Sequence, residues 1–508
     1  MADIHYMLPP ERRLKGVREL IGGRDYFVLH APRQVGKSTA MLTLGDTLTA
    51  EGTYASVMLS VEAGVPFEDL DRAVPAILSA WRARARNRLP VELQPPAWPA
   101  SAPMAAFGEA LEAWARACPR PLVLFLDEVD SLAPEVLGSL LRQLRDQYNN
   151  RPRGFPWSIG LVGMRDVKDY VMAAGGTGRA GSGSPFNILA GSLTMRDFTH
   201  DEIGELYGQH TAETGQVFEA AAVDRAWELT LGQPWLVNAL AREAVGTLVP
   251  DRSVHVRVTD IDEAKEILVR TRPHHLQSLG SRLRDPRVHP IIQAIMTGGD
   301  IPDIPEHDLQ YVRELGLVRY DDTGQLRLAN PIYADAMPRA LAATIQMGMP
   351  APGPGWLDDN GRLDPVRLLM GFLMFWREYG HRMLKAAPYK EIAAQLVLLT
   401  YLHRVANGGG SVSPEFSVLA GRIDLCLRKG PVTLGIELKV WRDDRPDPLA
   451  KGLVQLDGYL TKLTGTGPRV PGWLVIFDQR AGQPPIEDRT SAASLISAGG
   501  FEVVVVRG

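Results

Sequence analysis

The chain has 508 residues, 45% of them hydrophobic and 22% charged, with a formal net charge of −4. That length suits about three domains with a sizeable core, and the weakly acidic balance excludes a protein that coats nucleic acid by bulk charge while leaving room for a local basic groove. The two cysteines, Cys118 and Cys426, form no disulfide or zinc pattern, no run reaches the ~20 apolar residues of a spanning helix, and the first residues lack a secretory signal, so the expected setting is the reducing cytoplasm.

Residues 10–22, with Leu14, Val17, Leu20 and Ile21, predict an amphipathic helix. The apolar run Tyr26–Leu29 predicts a strand. The stretch Ala31-Pro32-Arg33-Gln34-Val35-Gly36-Lys37-Ser38-Thr39 follows, and then Met41, Leu44 and Leu48 at helical spacing. Strand, tight loop and helix in this order are the setting of a phosphate-binding loop, whose backbone N–H groups gather phosphate at a helix N-terminus. Ala31, Pro32, Gln34, Val35, Gly36, Lys37, Ser38 and Thr39 are the candidate ATP-binding residues. Lys37 would reach the β- and γ-phosphates, and Ser38 would place its hydroxyl on Mg²⁺. Ala31 stands where the usual pattern has its first glycine, so the turn loses its most permissive residue.

Residues 54–61 predict a second strand. The following helix carries Arg82, Arg84, Arg86 and Arg88, which spread round it as a solvated surface or a phosphate contact, and Pro95–Pro99 breaks the chain. The unbroken apolar run Leu122–Leu126 suits a strand buried on both faces, with Asp127 and Glu128 at its C-terminal end, where open α/β sheets bind ligands. Asp127 would join the Mg²⁺ shell, and Glu128 would polarise the attacking water. The two stretches together resemble the Walker A and Walker B motifs of AAA-like ATPases. A helix with Leu137, Leu140, Leu141 and Leu144 leads to another buried strand, 157–163, ending in Met164-Arg165-Asp166. In the ATPases this chain resembles, that tip carries a γ-phosphate sensor; Arg165 or Asp166 would fill the role, or simply cap the strand. The glycine-rich run 175–184 predicts a mobile loop, with Arg179 as an arginine finger or a plain loop residue.

Thr199 and Glu202 predict a capping box that opens a mostly helical stretch to about residue 270, suited to a lid. Gly232-Gln233-Pro234 resembles the Gly-x-Pro turn in the lid of the signalling branch of such ATPases, which implies that Pro234 approaches the nucleotide. Helices near 287–297 and 305–315, then alternating strands flanking Asp321-Asp322-Thr323-Gly324, suggest a winged helix. Its second helix carries Glu306, Asp308 and Glu314, which would repel phosphates, so protein packing is favoured over DNA reading. Residues 347–355 read as a linker.

A helix over 364–385 and another through Leu396, Leu399 and Leu402 precede two strands, 420–427 and 432–440, and a helix over 452–460. On the second strand Leu434, Ile436, Leu438 and Val440 share one face, and Glu437 and Lys439 the other. A carboxylate and an ammonium thus point the same way, beside Asp424 from the adjacent strand. Two carboxylates can hold Mg²⁺, and a lysine can orient water and steady charge on a phosphodiester. The order Glu391, Asp424, Glu437-x-Lys439, Gln455 and Tyr459 resembles the PD-(D/E)XK nuclease superfamily, and the whole chain resembles bacterial proteins that join an AAA-like ATPase to such a nuclease. The resemblance implies metal binding by Asp424, Glu437, the Leu438 carbonyl and Glu391, catalysis by Lys439, and DNA contact by Gln455 and Tyr459. Ile423 stands where the name-giving motif has its proline. Strands at 473–477 and 501–506 complete the sheet.

The expectation is an α/β protein: an ATPase core (1–198), a helical lid (199–272), a winged helix (273–345), a linker (346–363) and a nuclease-like domain (364–508). Its expected cofactors are ATP and Mg²⁺, and its expected partner is DNA, with no membrane. Self-assembly, and a protein partner at the winged helix, are compatible with this reading. The rival reading is an ATP-switched signalling or binding protein whose nuclease fold binds without cutting.

Overall fold

Alternation along the buried strands builds the first half of the molecule. The strands β1 (Tyr26–His30), β2 (Ala55–Ser60), β3 (Leu122–Asp127), β4 (Ser158–Gly163) and β5 (Leu189–Thr194) form one sheet in the order β2-β3-β4-β1-β5. Every pairing in it is parallel. In β3, Leu122, Leu124 and Leu126 face one apolar cluster and Val123 and Phe125 the other. The unbroken apolar run is therefore covered on both sides, as a parallel strand requires. The short α1 (Val17–Gly22) and α2 (Lys37–Ala50) cover one face, and α3 (Leu70–Arg88), α4 (Pro103–Ala117) and α5 (Pro134–Asp146) cover the other. The helix expected over 10–22 is instead a 3₁₀ turn, Pro10–Arg13, followed by α1. Gly16, at φ +85°, separates the two.

The structure, a computed structural model, describes residues 6–164, 188–271, 274–297, 304–348, 355–386, 393–406, 411–417, 422–443, 445–465 and 467–508, with the backbone alone at 10, 274–275, 277–278, 297, 342–348, 385–386, 404, 406, 411–417 and 422–424. The candidates Arg165 and Glu391, and also Asp166 and Arg179, lie outside the described residues. The chain forms two units, residues 1–264 with 310–317, and residues 265–309 with 318–508.

After β5 the chain is helical: α6 (His200–Thr214), α7 (Ala220–Thr230), α8 (Pro234–Glu243) and α9 (Val258–Thr271), with a π-helical turn at Ala244–Leu248. The capping box is present, with the Glu202 N–H donating to Thr199 Oγ1 at 3.2 Å and the Thr199 N–H to Glu202 Oε2 at 2.9 Å. Next come α10 (His274–Arg282), α11 (His289–Thr297), α12 (Glu306–Glu314) and the hairpin β6 (Val318–Tyr320) and β7 (Leu326–Leu328). Asp321 shapes that turn by accepting from the Thr323 and Gln325 N–H groups, both at 2.9 Å.

The helix α13 (Pro331–Gly348) reaches into the stretch expected to be linker. Further on, Asp358 accepts from the Asn360 and Arg362 N–H groups, which turns the chain so that Leu357 bridges Leu363. The helices α14 (Pro365–Ala386) and α15 (Ala393–Ala406) then precede a mixed sheet in the order β12-β13-β11-β10-β9-β8. Its strands are β8 (Ser411–Ser417), β9 (Arg422–Lys429), β10 (Val432–Trp441), β11 (Gly472–Asp478), β12 (Ser491–Ile496) and β13 (Glu502–Arg507). The helix α16 (Leu449–Thr464) connects β10 to its parallel neighbour β11. Among the described residues no helix is long and apolar enough to cross a membrane.

Candidate functional site

The loop after β1 turns through two left-handed residues, Gln34 at φ +62° and Gly36 at φ +91°. Ala31 is not one of them, so replacing the usual first glycine carries no conformational penalty at that position. The side chain of Lys37 folds onto its own loop and donates to the carbonyls of Ala31 at 2.7 Å and Pro32 at 2.9 Å. Burial pulls its ammonium down to about 8, against the opposing pull of Asp130, Asp127 and Glu128.

The C-terminal end of β3 brings the acidic residues to this loop. Ser38 Oγ donates to Asp127 Oδ2 at 2.7 Å, and Asp127 Oδ1 accepts from the Glu128 N–H at 3.0 Å. Glu128 is a non-glycine residue at φ +62°, a strained conformation of the kind found at functional sites. Burial, together with the nearby charges of Glu62, Asp127 and Asp130, raises its carboxyl above the ordinary range. The Asp130 carboxylate in turn accepts from the Met164 N–H at 3.1 Å and so fixes the tip of β4. A hydroxyl beside a buried carboxylate is a donor set that suits Mg²⁺ shared with phosphate oxygens. Asp130, Glu62 and Arg13 escaped the sequence reading. The Asp-Glu-Val-Asp spacing pointed toward Asp130, whereas no local signal marked the other two.

A cavity of about 1070 Å³ opens beside the loop. Gln34, Val35, Gly36 and Thr39 line it, and so do Pro234 from the Gly-x-Pro turn and Arg13. Pro234 thus stands on the loop's own cavity. Gly232, at φ +82°, lies so close to Phe198 that a Cβ would meet the Phe198 carbonyl oxygen at 2.0 Å, and its carbonyl accepts from the Phe198 N–H at 2.9 Å. Only glycine meets both the angle and the approach.

The second candidate centre lies on β10. Lys439 Nζ donates to Glu437 Oε1, and also reaches the Leu438 carbonyl at 3.5 Å. The pair shares one face, as the alternation predicts, and is deeply buried, with Glu437 1% and Lys439 9% exposed. Glu437 Oε2 has no hydrogen-bond partner among the described residues. The helix α16 covers this face, since a Cβ on Gly435 would meet Leu460 at 2.6 Å and Tyr459 at 3.3 Å. Gln455 and Tyr459, one turn apart on α16, therefore stand on the Glu437 side of the sheet. On the opposite face Phe477, paired in the ladder with Val440, meets Trp376 of α14 at a centroid distance of 5.0 Å. Leu425 of β9 pairs with Ile436, so the register carries Asp424 to the position next to Glu437. Among the described residues no group of three or more His, Cys, Asp or Glu side chains is arranged to hold a metal.

The parallel sheet, the loop at the start of α2 and the Ser38–Asp127 bond define a P-loop nucleotide-binding domain. Residues 21–171 match a family model described as an AAA domain, and this part of the chain is an AAA-type P-loop ATPase domain. Solved structures to which the chain is similar include the following. The RuvB Holliday junction branch migration motor of Thermotoga maritima has 15% identity and a TM-score of 0.34 over 63% of this chain and 90% of that one. Cdc6p from Pyrobaculum aerophilum has 11% identity and a TM-score of 0.35 over 64% and 93%. A FIGL-1 AAA domain in complex with ADP has 13% identity and a TM-score of 0.28 over 48% and 72%. No curated protein matches the chain.

Proposed function

We propose that the chain binds and hydrolyses ATP at its N-terminal site and that residues 364–508 are a metal-dependent DNA nuclease governed by it. For the ATPase, the carrying observation is the Ser38–Asp127 bond at 2.7 Å beside Lys37. Lys37 exchanges its two loop carbonyls for the β- and γ-phosphates. Glu128, with its raised pKa, takes the proton of the attacking water. Mg²⁺, when bound at Ser38 and Asp127, neutralises charge on the phosphates. Residues 199–272 serve as lid, with Pro234 toward the nucleotide, and Arg165 serves as sensor. Residues 273–345 serve as a winged helix that packs against protein, and 346–363 link it to the nuclease. Self-assembly follows from the AAA-like resemblance.

For the nuclease, the supporting observation is the buried Glu437–Lys439 pair, in which Glu437 Oε2 has no hydrogen-bond partner among the described residues. A buried acceptor without a donor is costly, and a cation satisfies it. Asp424, Glu391 and the Leu438 carbonyl would complete the shell of such a cation. Lys439 orients the water and steadies the phosphodiester, while Gln455 and Tyr459 of α16 contact the strand. The direct Lys439–Glu437 bond favours a second reading, since a structural ion pair looks the same: a switch whose C-terminal part binds without cutting. A Glu128→Gln protein separates ATPase from switch. It should bind ATP but lose turnover, and if its behaviour with ATP matched wild type in every output, hydrolysis would not be the driving step.

A further inference from the structure

Arg13 sits in the 3₁₀ turn before α1, outside the phosphate-binding loop motif, yet its side chain reaches the loop cavity. It is 6% exposed. Its Nε donates to the Arg196 carbonyl at 2.8 Å, and its guanidinium lies 4.6 Å from the Phe198 ring centroid. The Phe198 backbone is in turn clamped by Gly232 of the Gly-x-Pro turn. Nη1 stands 3.7 Å from where a Cβ would sit on Gly36. Nη2 is buried and has no hydrogen-bond partner among the described residues. Two acids share the neighbourhood, Asp197 and Glu202. Glu202 is committed to Arg196, which it accepts from at 2.6 and 2.8 Å, and to the Thr199 N–H. Neither acid bonds Arg13.

A buried guanidinium with an unused donor, held over an aromatic face beside a phosphate-binding loop, lacks an anionic acceptor. The acceptor's position follows from what shares the cavity. Gly36, Thr39 and Pro234 line it, whereas Lys37, Ser38, Asp127 and Glu128 are not among its lining residues. Arg13 therefore shares the part of the cavity lined by Gly36, Thr39 and Pro234. We propose that Arg13 is a nucleotide-binding residue that donates to the α-phosphate of a bound nucleoside di- or triphosphate. This rests on the ATP reading of the same site. It gives the turn before α1 a part in nucleotide recognition, and ties that contact through Phe198 to the Gly-x-Pro turn.

The test is calorimetric binding of Mg-ATP and Mg-ADP to the full chain as wild type, Arg13→Gln and Arg13→Lys, with a melting curve of each protein without nucleotide. An α-phosphate contact is common to both ligands. Arg13→Gln should therefore weaken both by the same factor, about tenfold to a hundredfold as for a charge-assisted bond. Arg13→Lys should fall between that variant and wild type. The nucleotide-free melting temperature should stay at or above wild type, because a buried cation without an acceptor is removed. Should Arg13→Gln not fold, equal weakening of both ligands by Arg13→Lys carries the test. Loss for ATP alone would place Arg13 at the γ-phosphate and overturn the proposal, as would unchanged affinity for both. If wild type bound neither nucleotide, the ATP reading would fall with it; unchanged binding by the variants of a competent wild type sinks the Arg13 proposal alone.

Discussion

Lys37→Met should make the nucleotide-free protein more stable while abolishing ATP binding. Burial lowers the folded-state pKa of Lys37 to about 8 from 10.5. At about 1.4 kcal/mol per unit, holding the ammonium in its site costs about 3 kcal/mol at pH 7. The two bonds to the Ala31 and Pro32 carbonyls recover part of this and are lost with methionine, so the net gain is about 1–2 kcal/mol. The sign with pH follows from linkage. Between pH 8 and 10.5 the unfolded chain binds the proton and the folded chain does not, so wild-type stability rises with pH and the penalty fades. Differential scanning calorimetry of both proteins without nucleotide should show the variant melting about 3–6 °C higher at pH 7, with the advantage gone by pH 10. A variant less stable at pH 7, or a difference independent of pH, would mean the carbonyls fully satisfy the cation.

Three further outcomes follow from the same geometry. With Glu128 as the proposed base, the rate of ATP hydrolysis should fall as pH drops through a pKa raised above the ordinary value, and Glu128→Gln should remove both the activity and that acid limb. Gly232→Ala forces a Cβ to 2.0 Å from the Phe198 oxygen at a φ of +82°, which should destabilise the N-terminal unit by about 3–5 kcal/mol in denaturant unfolding; an unchanged midpoint would show that the turn relaxes freely. Lys439→Met alone leaves the buried Glu437 carboxylate unpaired and should cost about 3–5 kcal/mol, whereas Glu437→Leu combined with Lys439→Met should restore most of it; if the double variant is no better than the single one, the pair is not an isolated ionic unit.

Central elements were legible because their burial is written as pattern. The unbroken run Leu122–Leu126 marked a strand covered on both sides, and the Glu437-x-Lys439 alternation marked a shared face. Edge strands lacked such a mark. β5 alternates only partly buried positions through glycine and serine, and β12 (Ser491–Ile496) is almost wholly exposed, so neither carries the apolar run of a central strand. The loop, Asp127 and Glu128 came from motif and position. Arg13 reaches the cavity only because the 3₁₀ turn is tied to residues 196–202, a relation spanning more than 180 positions that no local spacing encodes. Gly16 broke a helix that apolar periodicity alone would have continued.

The proposed coupling of the ATP site to cutting at Lys439 can be measured directly. The direct measurement is cleavage of linear, nicked and single-stranded DNA in Mg²⁺ or Mn²⁺, with and without ATP, by wild type, Lys439→Ala and Lys37→Ala. Wild type should cut at least one of these forms, Lys439→Ala should cut none, and Lys37→Ala should cut without responding to ATP. Intact DNA in every wild-type reaction, or equal cutting by Lys439→Ala, would contradict the nuclease reading and leave an ATP-driven binding protein.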